Sequence, residues 1–386
     1  MYLYILIFLI TVVLAFSYNR EGKHVSLFFF FSVAILLGLF VACSDMLGGY
    51  DRYVYSDAFT AYAERIQAGE GIFNDSFQLY FNHEPVFGFV MAAIGRFTIN
   101  RYIFIFITTM LMYTLFAFSI YKNVKNPFFG LMLFEALLFF FTFAYMRQAL
   151  AASVCWLSLP YAIQRKRFPF FILVIVAALI HNSAIYFAIL WFLPLRKYTP
   201  LQVRNFMIIV FLIGITGLPS KLFLFYGDVI ETASSKALMY ADSATGKIRF
   251  EYIAEAALFL YVLLKSYSAI ENDKRSLLLQ NIYIMFCAIL LLFCRSTDGG
   301  RIAWYSIIGV IALLSNMSLK KRTKDVASLS LLVSIFLYFR ILIIWGILLY
   351  PYKSFFSNGH RANDPVYEQY EYDTLYDRDK FYNLFE

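Results

Sequence analysis

The sequence has little charge, few cysteines, and little proline or glycine. Only 15% of the 386 residues are charged, whereas a soluble domain has roughly 25%. The 18 glycines and 9 prolines are too few for a fibrous or low-complexity chain. The four cysteines lie in or at the ends of apolar runs without a C-x-x-C spacing. This pattern indicates neither a zinc motif nor a disulfide framework.

Apolar and aromatic residues make up most of the chain instead. Hydrophobic residues account for 61% of it, with 44 Phe and 30 Tyr, against about 45–50% in soluble domains. A chain of this size cannot bury so much apolar surface without a second apolar phase. The net charge of +8 comes from cations placed between apolar segments, whereas nucleic-acid binders cluster them on one face. The composition excludes a soluble enzyme, a nucleic-acid binder and a secreted disulfide module, and it predicts a polytopic membrane protein.

The apolar segments predict an all-α bundle of about twelve transmembrane helices, since crossing a bilayer takes about 20 apolar residues. Segment 84–97 contains Arg96 and is too short and polar to cross easily, so it is predicted to be re-entrant or interfacial. Residues 168–194 would form a helix of about 40 Å, longer than one span needs. We interpret them as two short helices that meet at His181-Asn182. The predicted spans are 1–18, 25–43, 102–121, 127–145, 147–163, 168–181, 182–194, 205–226, 251–267, 277–294, 302–317 and 326–350.

Basic residues concentrate in alternate loops between these spans, and most acids lie in the others. Because cytoplasmic loops carry excess Lys and Arg, the basic loops are predicted to be cytoplasmic and both termini external. The chain is then a transmembrane domain, 1–352, with an external loop, 44–101, and an acidic, tyrosine-rich external tail, 353–386. The basic loops contain Arg20/Lys23, Lys122/Lys125, Arg165/Lys166/Arg167, Arg196/Lys197/Arg204, Lys265/Lys274/Arg275 and Lys320/Lys321/Arg322/Lys324.

Ionisable residues at the external ends of the spans are the candidate functional residues, because charge bordering the hydrocarbon is costly. Asp51 follows a Gly-Gly-Tyr turn after the second span, and Glu84 precedes Pro85 where the chain re-enters the apolar phase. His181 lies at the predicted helix break. Each candidate has a structural alternative: arginines could bind lipid headgroups, the histidine could cap a helix, and the acids could be ordinary loop residues. The candidate arginines are Arg147, Arg295 and Arg301.

Several of these residues belong to short motifs that follow one another in order between about residues 45 and 355. The motifs are Tyr50-Asp51 with Tyr53 and Tyr55, Glu84-Pro85, Arg147-Gln148 with Ala151, His181-Asn182-Ser183-Ala184, Arg301-Ile302-Ala303-Trp304-Tyr305 and Tyr350-Pro351-Tyr352. The ordered set resembles the EpsG branch of the Wzy-type polysaccharide polymerases. The His-Asn-Ser-Ala segment after a basic turn is its most telling part. The tail 353–386 has no counterpart in the family pattern.

The resemblance implies a GT-C-like membrane glycosyltransferase that polymerises lipid-linked repeat units at the outer face of the bacterial cytoplasmic (inner) membrane. The growing chain would pass from undecaprenyl diphosphate to a hydroxyl of the next lipid-linked unit. The implied partners are this undecaprenyl-diphosphate-linked oligosaccharide, membrane lipid and a chain-length regulator, with no nucleic acid and no cofactor. No dedicated metal cage is evident, although a metal held by Asp51 and the substrate diphosphate stays open.

The chemistry of this reaction suggests a role for each candidate residue. A departing lipid diphosphate develops negative charge, which preorganised guanidinium groups stabilise; this role falls to Arg147, Arg295 and Arg301. The acceptor hydroxyl must give its proton to a carboxylate or histidine; the candidates for its activation or positioning are Asp51, Glu84 and His181, and which of them is the base is open. The alternatives are an O-antigen ligase, which uses the same donor, and a flippase or transporter of lipid-linked oligosaccharides, which needs access to both leaflets.

Overall fold

The computed structural model describes residues 1–20, 23–221, 247–296, 299–320, 324–358 and 379–381, and these ranges are helical without any strand. The predicted all-α fold class is therefore confirmed. The α-helices are α1 Tyr2–Ser17, α2 Leu27–Ala42, α3 Tyr50–Gln67, α4 Asp75–Phe81, α5 Pro85–Gly95, α6 Arg101–Asn123, α7 Pro127–Leu137, α8 Met146–Leu157, α9 Leu159–Ile163, α10 Arg167–Ile180, α11 Pro200–Ile215, α12 Phe250–Lys265, α13 Lys274–Leu292, α14 Ile307–Ser318, α15 Lys324–Ile344 and α16 Gly346–Leu349. Short 3-10 helices cover Phe139–Phe143, Asn182–Phe192, Tyr267–Ala269 and Gly299–Ser306.

Four of the described helical segments are long and apolar enough to cross a membrane: Arg101–Asn123, Lys274–Leu292, Gly299–Ser318 and Asp325–Ile344. The protein is accordingly a polytopic membrane bundle. Shorter apolar helices, of 10–17 residues, coincide with most of the other predicted spans. The total of about twelve spans stays a prediction, because short helices cross a bilayer only within a crowded bundle.

The chain forms two compact units. The first contains Met1–Leu157, Ile172–Ile185 and Ser334–Glu386, and the second contains Ser158–Phe171 and Tyr186–Val333. In the first unit α2 packs along α6, α1 along α7, and α3 against α5. Ring stacking between Phe8 and Tyr338, with centroids 4.2 Å apart, ties α1 to the late helix α15. This unit contains four of the six candidate residues: Asp51 and Glu84 in the segment 44–101, and Arg147 and His181.

The segment between α2 and α6 contains the short helices α3, α4 and α5. α5 begins with Pro85 at its first position, where proline is well tolerated. It has 11 residues, which is about 16 Å of helix and too short to cross a bilayer. α5 lies within 84–97, the segment predicted to be re-entrant or interfacial.

The stretch 168–194 is divided at the predicted position. Helix α10 ends at Ile180, His181 is not helical, and a 3-10 helix runs over Asn182–Phe192. The second piece is therefore a 3-10 helix and not the α-helix expected from its apolar residues. A 3-10 helix rises about 2.0 Å per residue, so its 11 residues reach about as far as the 14 of α10.

The chain returns to the first unit at residues 379–381, which we call the tail anchor. The Lys380 side chain is fully buried, and its ammonium lies 3.0 Å from an Asp45 carboxylate oxygen. The Asp379 carboxylate lies 3.1 Å from Arg101 at the start of α6. The tail anchor therefore lies beside the 44–101 segment, on the same side of the first unit. Most of the predicted tail 353–386 lies outside the described residues, as do Arg322 and Asp298.

In the second unit α11, α12 and α14 all pack against α13. Two glycines allow these helices to approach closely. A methyl group at Gly214 would overlap the Leu291 carbonyl oxygen, and one at Gly309 would lie 2.7 Å from the Ile282 Cβ atom. Small residues at such crossings are typical of membrane helix packing.

We expect Gly214→Ala to destabilise the second unit, because the added methyl must push α11 away from α13. Overpacking of this kind costs about 1–3 kcal/mol, which should appear as a lower melting temperature of the purified protein in detergent. Gly71→Ala is the matched control, since a methyl there meets nothing within 4 Å. Equal melting temperatures for the two variants would contradict the close crossing.

Candidate active site

A buried carboxylate, that of Glu84, is the centre of the candidate site. Its oxygens lie 2.5 Å from the Arg147 guanidinium and 2.5 Å from His181 Nδ1. The Glu84 residue is only 6% exposed. It occupies the N-cap position of α5 without capping that helix, so both oxygens are available to partners from other elements. Glu84 thus joins three parts of the chain that are far apart in sequence.

The helix break at His181 supplies two of the partners of this carboxylate. Besides the imidazole, the Asn182 backbone N–H donates to the same Glu84 oxygen over 3.2 Å. The first N–H groups of a helix have no partner within it, so beginning a new helix at Asn182 leaves this donor free for Glu84. With Nδ1–H donating to Glu84, the other ring nitrogen, Nε2, carries the lone pair. The His181 side chain is 27% exposed.

Arg147 lies in the first turn of α8, and its guanidinium is held between Glu84 and an aromatic ring. Its Cζ atom is 4.8 Å from the centroid of the Tyr55 ring. The Tyr55 ring in turn packs edge-on against Phe87, at 6.1 Å. Among the described residues, Arg147 Nε has no hydrogen-bond partner, and the side chain is 28% exposed. The Nε atom itself is buried, so it is the exposed part of the guanidinium that is accessible to an anion.

Asp51 and Tyr55 are one turn apart on α3, so both face the same way. The Asp51 charge acts electrostatically on both Arg147 and Tyr55. Helix α3 can begin beside these residues because Gly48 and Gly49 have φ values of 105° and 102°, which glycine adopts readily. A methyl group on Gly48 would also clash with Phe143, at 2.7 Å.

The charges of the site favour an ionised Glu84. Burial alone would raise the pKa of this carboxyl group. The His181 hydrogen bond, the Arg147 charge and the Asn182 N–H act the other way, and they lower the pKa to about 2. Burial raises the pKa of the Tyr55 hydroxyl, which keeps it neutral. The site thus holds one permanent carboxylate next to one permanent guanidinium.

The first unit therefore brings together Asp51, Glu84, Arg147 and His181. Arg295 and Arg301 belong to the second unit, so the structure describes them only within it. Arg295 follows the end of α13 and donates to the Ile215 carbonyl oxygen over 3.2 Å. Arg301 is half-buried in the 3-10 helix Gly299–Ser306.

Two further residues contribute to the site without having been selected as candidates. Tyr55 belongs to one of the family motifs. Its i, i+4 spacing from Asp51 is the feature of the sequence that could have placed it in the site. Arg52 is fully buried and donates to the Val41 carbonyl oxygen over 3.1 Å, which holds the end of α2. Nothing in the sequence distinguishes Arg52 from an arginine in a solvent-exposed loop. It shapes the turn that precedes Asp51.

Within the ranges that the structure describes, no group of three or more His, Cys, Asp or Glu side chains could hold a metal ion. Comparison with known proteins gives one family. The model of the EpsG family matches residues 27–354, which is most of the chain and includes every candidate residue. No curated protein and no solved structure matches the chain.

Proposed function

Because the chain belongs to the EpsG family, we propose that it is a polymerase of cell-surface polysaccharide. It transfers a growing chain from undecaprenyl diphosphate to a lipid-linked repeat unit, at the outer face of the bacterial cytoplasmic membrane. The observation that carries the proposal is the buried Glu84 carboxylate with His181 and Arg147 on its two oxygens. That arrangement offers a proton acceptor and an anion-binding cation within one site.

In this mechanism His181 is the base. Nε2 takes the proton of an acceptor hydroxyl as the oxygen forms its bond to the anomeric carbon of the donor sugar. Glu84 fixes the tautomer and stabilises the imidazolium that forms, as the carboxylate does in hydrolase triads. Glu84 is a poor base itself, because general-base catalysis favours a pKa near the working pH and that of Glu84 is lowered to about 2.

Arg147 stabilises the leaving group in the same step. The bond between the anomeric carbon and the phosphate oxygen breaks, and its electron pair leaves with the lipid diphosphate. Preorganised donors aimed at developing charge lower the barrier of such steps. Arg147 is held in place by Glu84 and Tyr55, and the exposed part of its guanidinium meets a phosphate oxygen. Asp51 positions the acceptor. The role of Arg295 and Arg301 as further diphosphate ligands stays a prediction from the sequence.

The proposal is tested by incubating the purified full-length protein with undecaprenyl-diphosphate-linked repeat units and separating the products on a gel. We expect a ladder of products that differ by one repeat unit. A single transfer to another lipid acceptor would indicate a ligase instead. A transporter would be indicated if the substrate stays unchanged but moves across the bilayer of reconstituted vesicles. Either the ligase result or the transporter result would overturn the proposal of a polymerase.

A further inference from the structure

The second unit contains a cavity of about 410 Å³ that none of the candidate residues lines. It is formed by the 3-10 helix Asn182–Phe192, the connector that follows it, α11 and α13. Its walls are mainly apolar, and they are formed by Ile189, Leu193, Val203, Phe206, Ile284 and Met285. Mostly apolar cavities of this size with a few convergent polar groups are the usual form of a small-ligand site.

The polar groups of the cavity come from the connector and the parts of the helices nearest to it. Arg196 and Tyr198 belong to the connector, and the Arg196 guanidinium lies 4.8 Å from the Tyr198 ring centroid. No carboxylate of the described residues forms an ion pair with Arg196, which is exposed. The neighbouring Lys197 does not line the cavity, and its ammonium donates to the Ile270 carbonyl oxygen. This end of the cavity is therefore cationic.

A buried amide adds a second and independent indication of a ligand. Asn281 lines the cavity and is 2% exposed. Its Nδ2 donates to the Pro194 carbonyl oxygen over 2.8 Å, but its Oδ1 accepts no hydrogen bond from the residues that the structure describes. A buried acceptor without a partner is costly, so a ligand with a hydroxyl donor would be favoured there.

We propose that this cavity binds an anionic phospholipid with a hydroxylated headgroup, of the phosphatidylglycerol type. The phosphate contacts Arg196, a headgroup hydroxyl donates to Asn281 Oδ1, and an acyl chain lies along the apolar walls. The connector is part of the Arg196/Lys197/Arg204 loop predicted to be cytoplasmic, and basic pockets between membrane helices on that side suit anionic headgroups. Such a lipid would join the 3-10 helix Asn182–Phe192 to α11 and α13.

The test is native mass spectrometry of the detergent-solubilised full-length protein, titrated with phosphatidylglycerol or with phosphatidylethanolamine of the same acyl chains. We expect one phosphatidylglycerol to be retained preferentially. Arg196→Gln should weaken its binding about tenfold, since it removes one charge-assisted hydrogen bond. Ala288→Phe should also weaken it, by filling the apolar part of the cavity without changing any charge.

The matched control is Arg204→Gln, which removes an exposed cation in the first turns of α11 that does not line the cavity. It should leave binding unchanged. Equal losses in Arg196→Gln and Arg204→Gln would show general attraction of anionic lipid to the loop and overturn the site. Equal binding of the two phospholipids, or preferential retention of added undecaprenyl phosphate, would overturn the proposed occupant. These readouts do not depend on polymerisation.

Discussion

The His181→Gln variant is expected to lose chain-transfer activity by roughly 10²–10⁴-fold, the usual contribution of a general base. Glutamine keeps a hydrogen-bonding group near Glu84 but cannot accept the proton of the acceptor hydroxyl. The measurement is the initial rate of ladder formation at saturating lipid-linked substrate, with equal amounts of folded protein. A residue that only positions the acceptor would survive this substitution with a much smaller loss.

The control for this variant is His83→Gln, the same substitution at an exposed histidine next to Glu84. It should retain wild-type activity. Glu84→Gln should also be impaired, because the neutral amide can neither stabilise the imidazolium nor hold Arg147 by charge. Near-normal ladder formation by well-folded His181→Gln would rule out His181 as the base.

Glu84→Gln also has an expected effect on stability. The pKa of Glu84 in the folded protein, about 2, lies below its ordinary value of 4.5, so the ionised carboxylate stabilises the fold. That contribution is complete above the ordinary value and is lost as the pH falls towards 2. The Gln variant should therefore melt at a lower temperature than wild type at neutral pH, and the difference should shrink in acid. A pH-independent difference would contradict this.

The second large effect is expected for Arg147→Lys. Lysine keeps the positive charge but lacks the planar set of N–H donors of the guanidinium. Its ammonium therefore cannot bind Glu84, stack on Tyr55 and donate to a phosphate at the same time. We expect kcat to fall by roughly 10²–10³-fold, the cost of removing one donor to developing negative charge. The rate should fall more than the substrate affinity, because the charge develops only as the bond breaks.

Arg65→Lys is the control for this substitution. Arg65 lies on α3, and its side chain is 41% exposed in surface ion pairs, which contribute little. Arg295→Lys and Arg301→Lys make the same test in the second unit. Full activity of all three variants, at Arg147, Arg295 and Arg301, would show that these arginines bind lipid headgroups or serve only structure.

Much of the fold follows from patterns that are local in the sequence. Apolar runs give the helices, and the polar pair within 168–194 marks the break because a continuous helix would be too long for one span. The same pattern could not distinguish a 3-10 helix from an α-helix in Asn182–Phe192, since both present apolar residues to their surroundings. Its form depends on contacts beyond the segment.

The sequence identified candidate residues, but it could not predict how their side chains are arranged in space. Glu84 is 63 residues from Arg147 and 97 from His181, and no periodicity relates positions so far apart. The sequence therefore left Asp51, Glu84 and His181 as equal candidates for the base. The contacts argue only against Glu84, because a carboxylate held by a guanidinium and an imidazole is a weak base; the choice of His181 over Asp51 is part of the proposal. The burial of Lys380 could not be predicted either, because Lys380 lies in a polar tail without an apolar pattern around it, and its partner Asp45 is far away in the sequence.

The tail anchor has a consequence for the order in which the protein assembles during synthesis. Tyr4 bonds the Leu349 carbonyl oxygen, 345 residues away, and Asp45 receives its counter-ion only when Lys380 has been made. Until then the Asp45 carboxylate lacks this ion pair, and the Tyr4 hydroxyl lacks its acceptor, although α1 can already pack along α7 and α2 along α6. The first unit therefore cannot close while the ribosome is still translating the second, although its helices enter the membrane first. Premature release of the nascent chain therefore leaves the first unit without the contacts that its last residues provide.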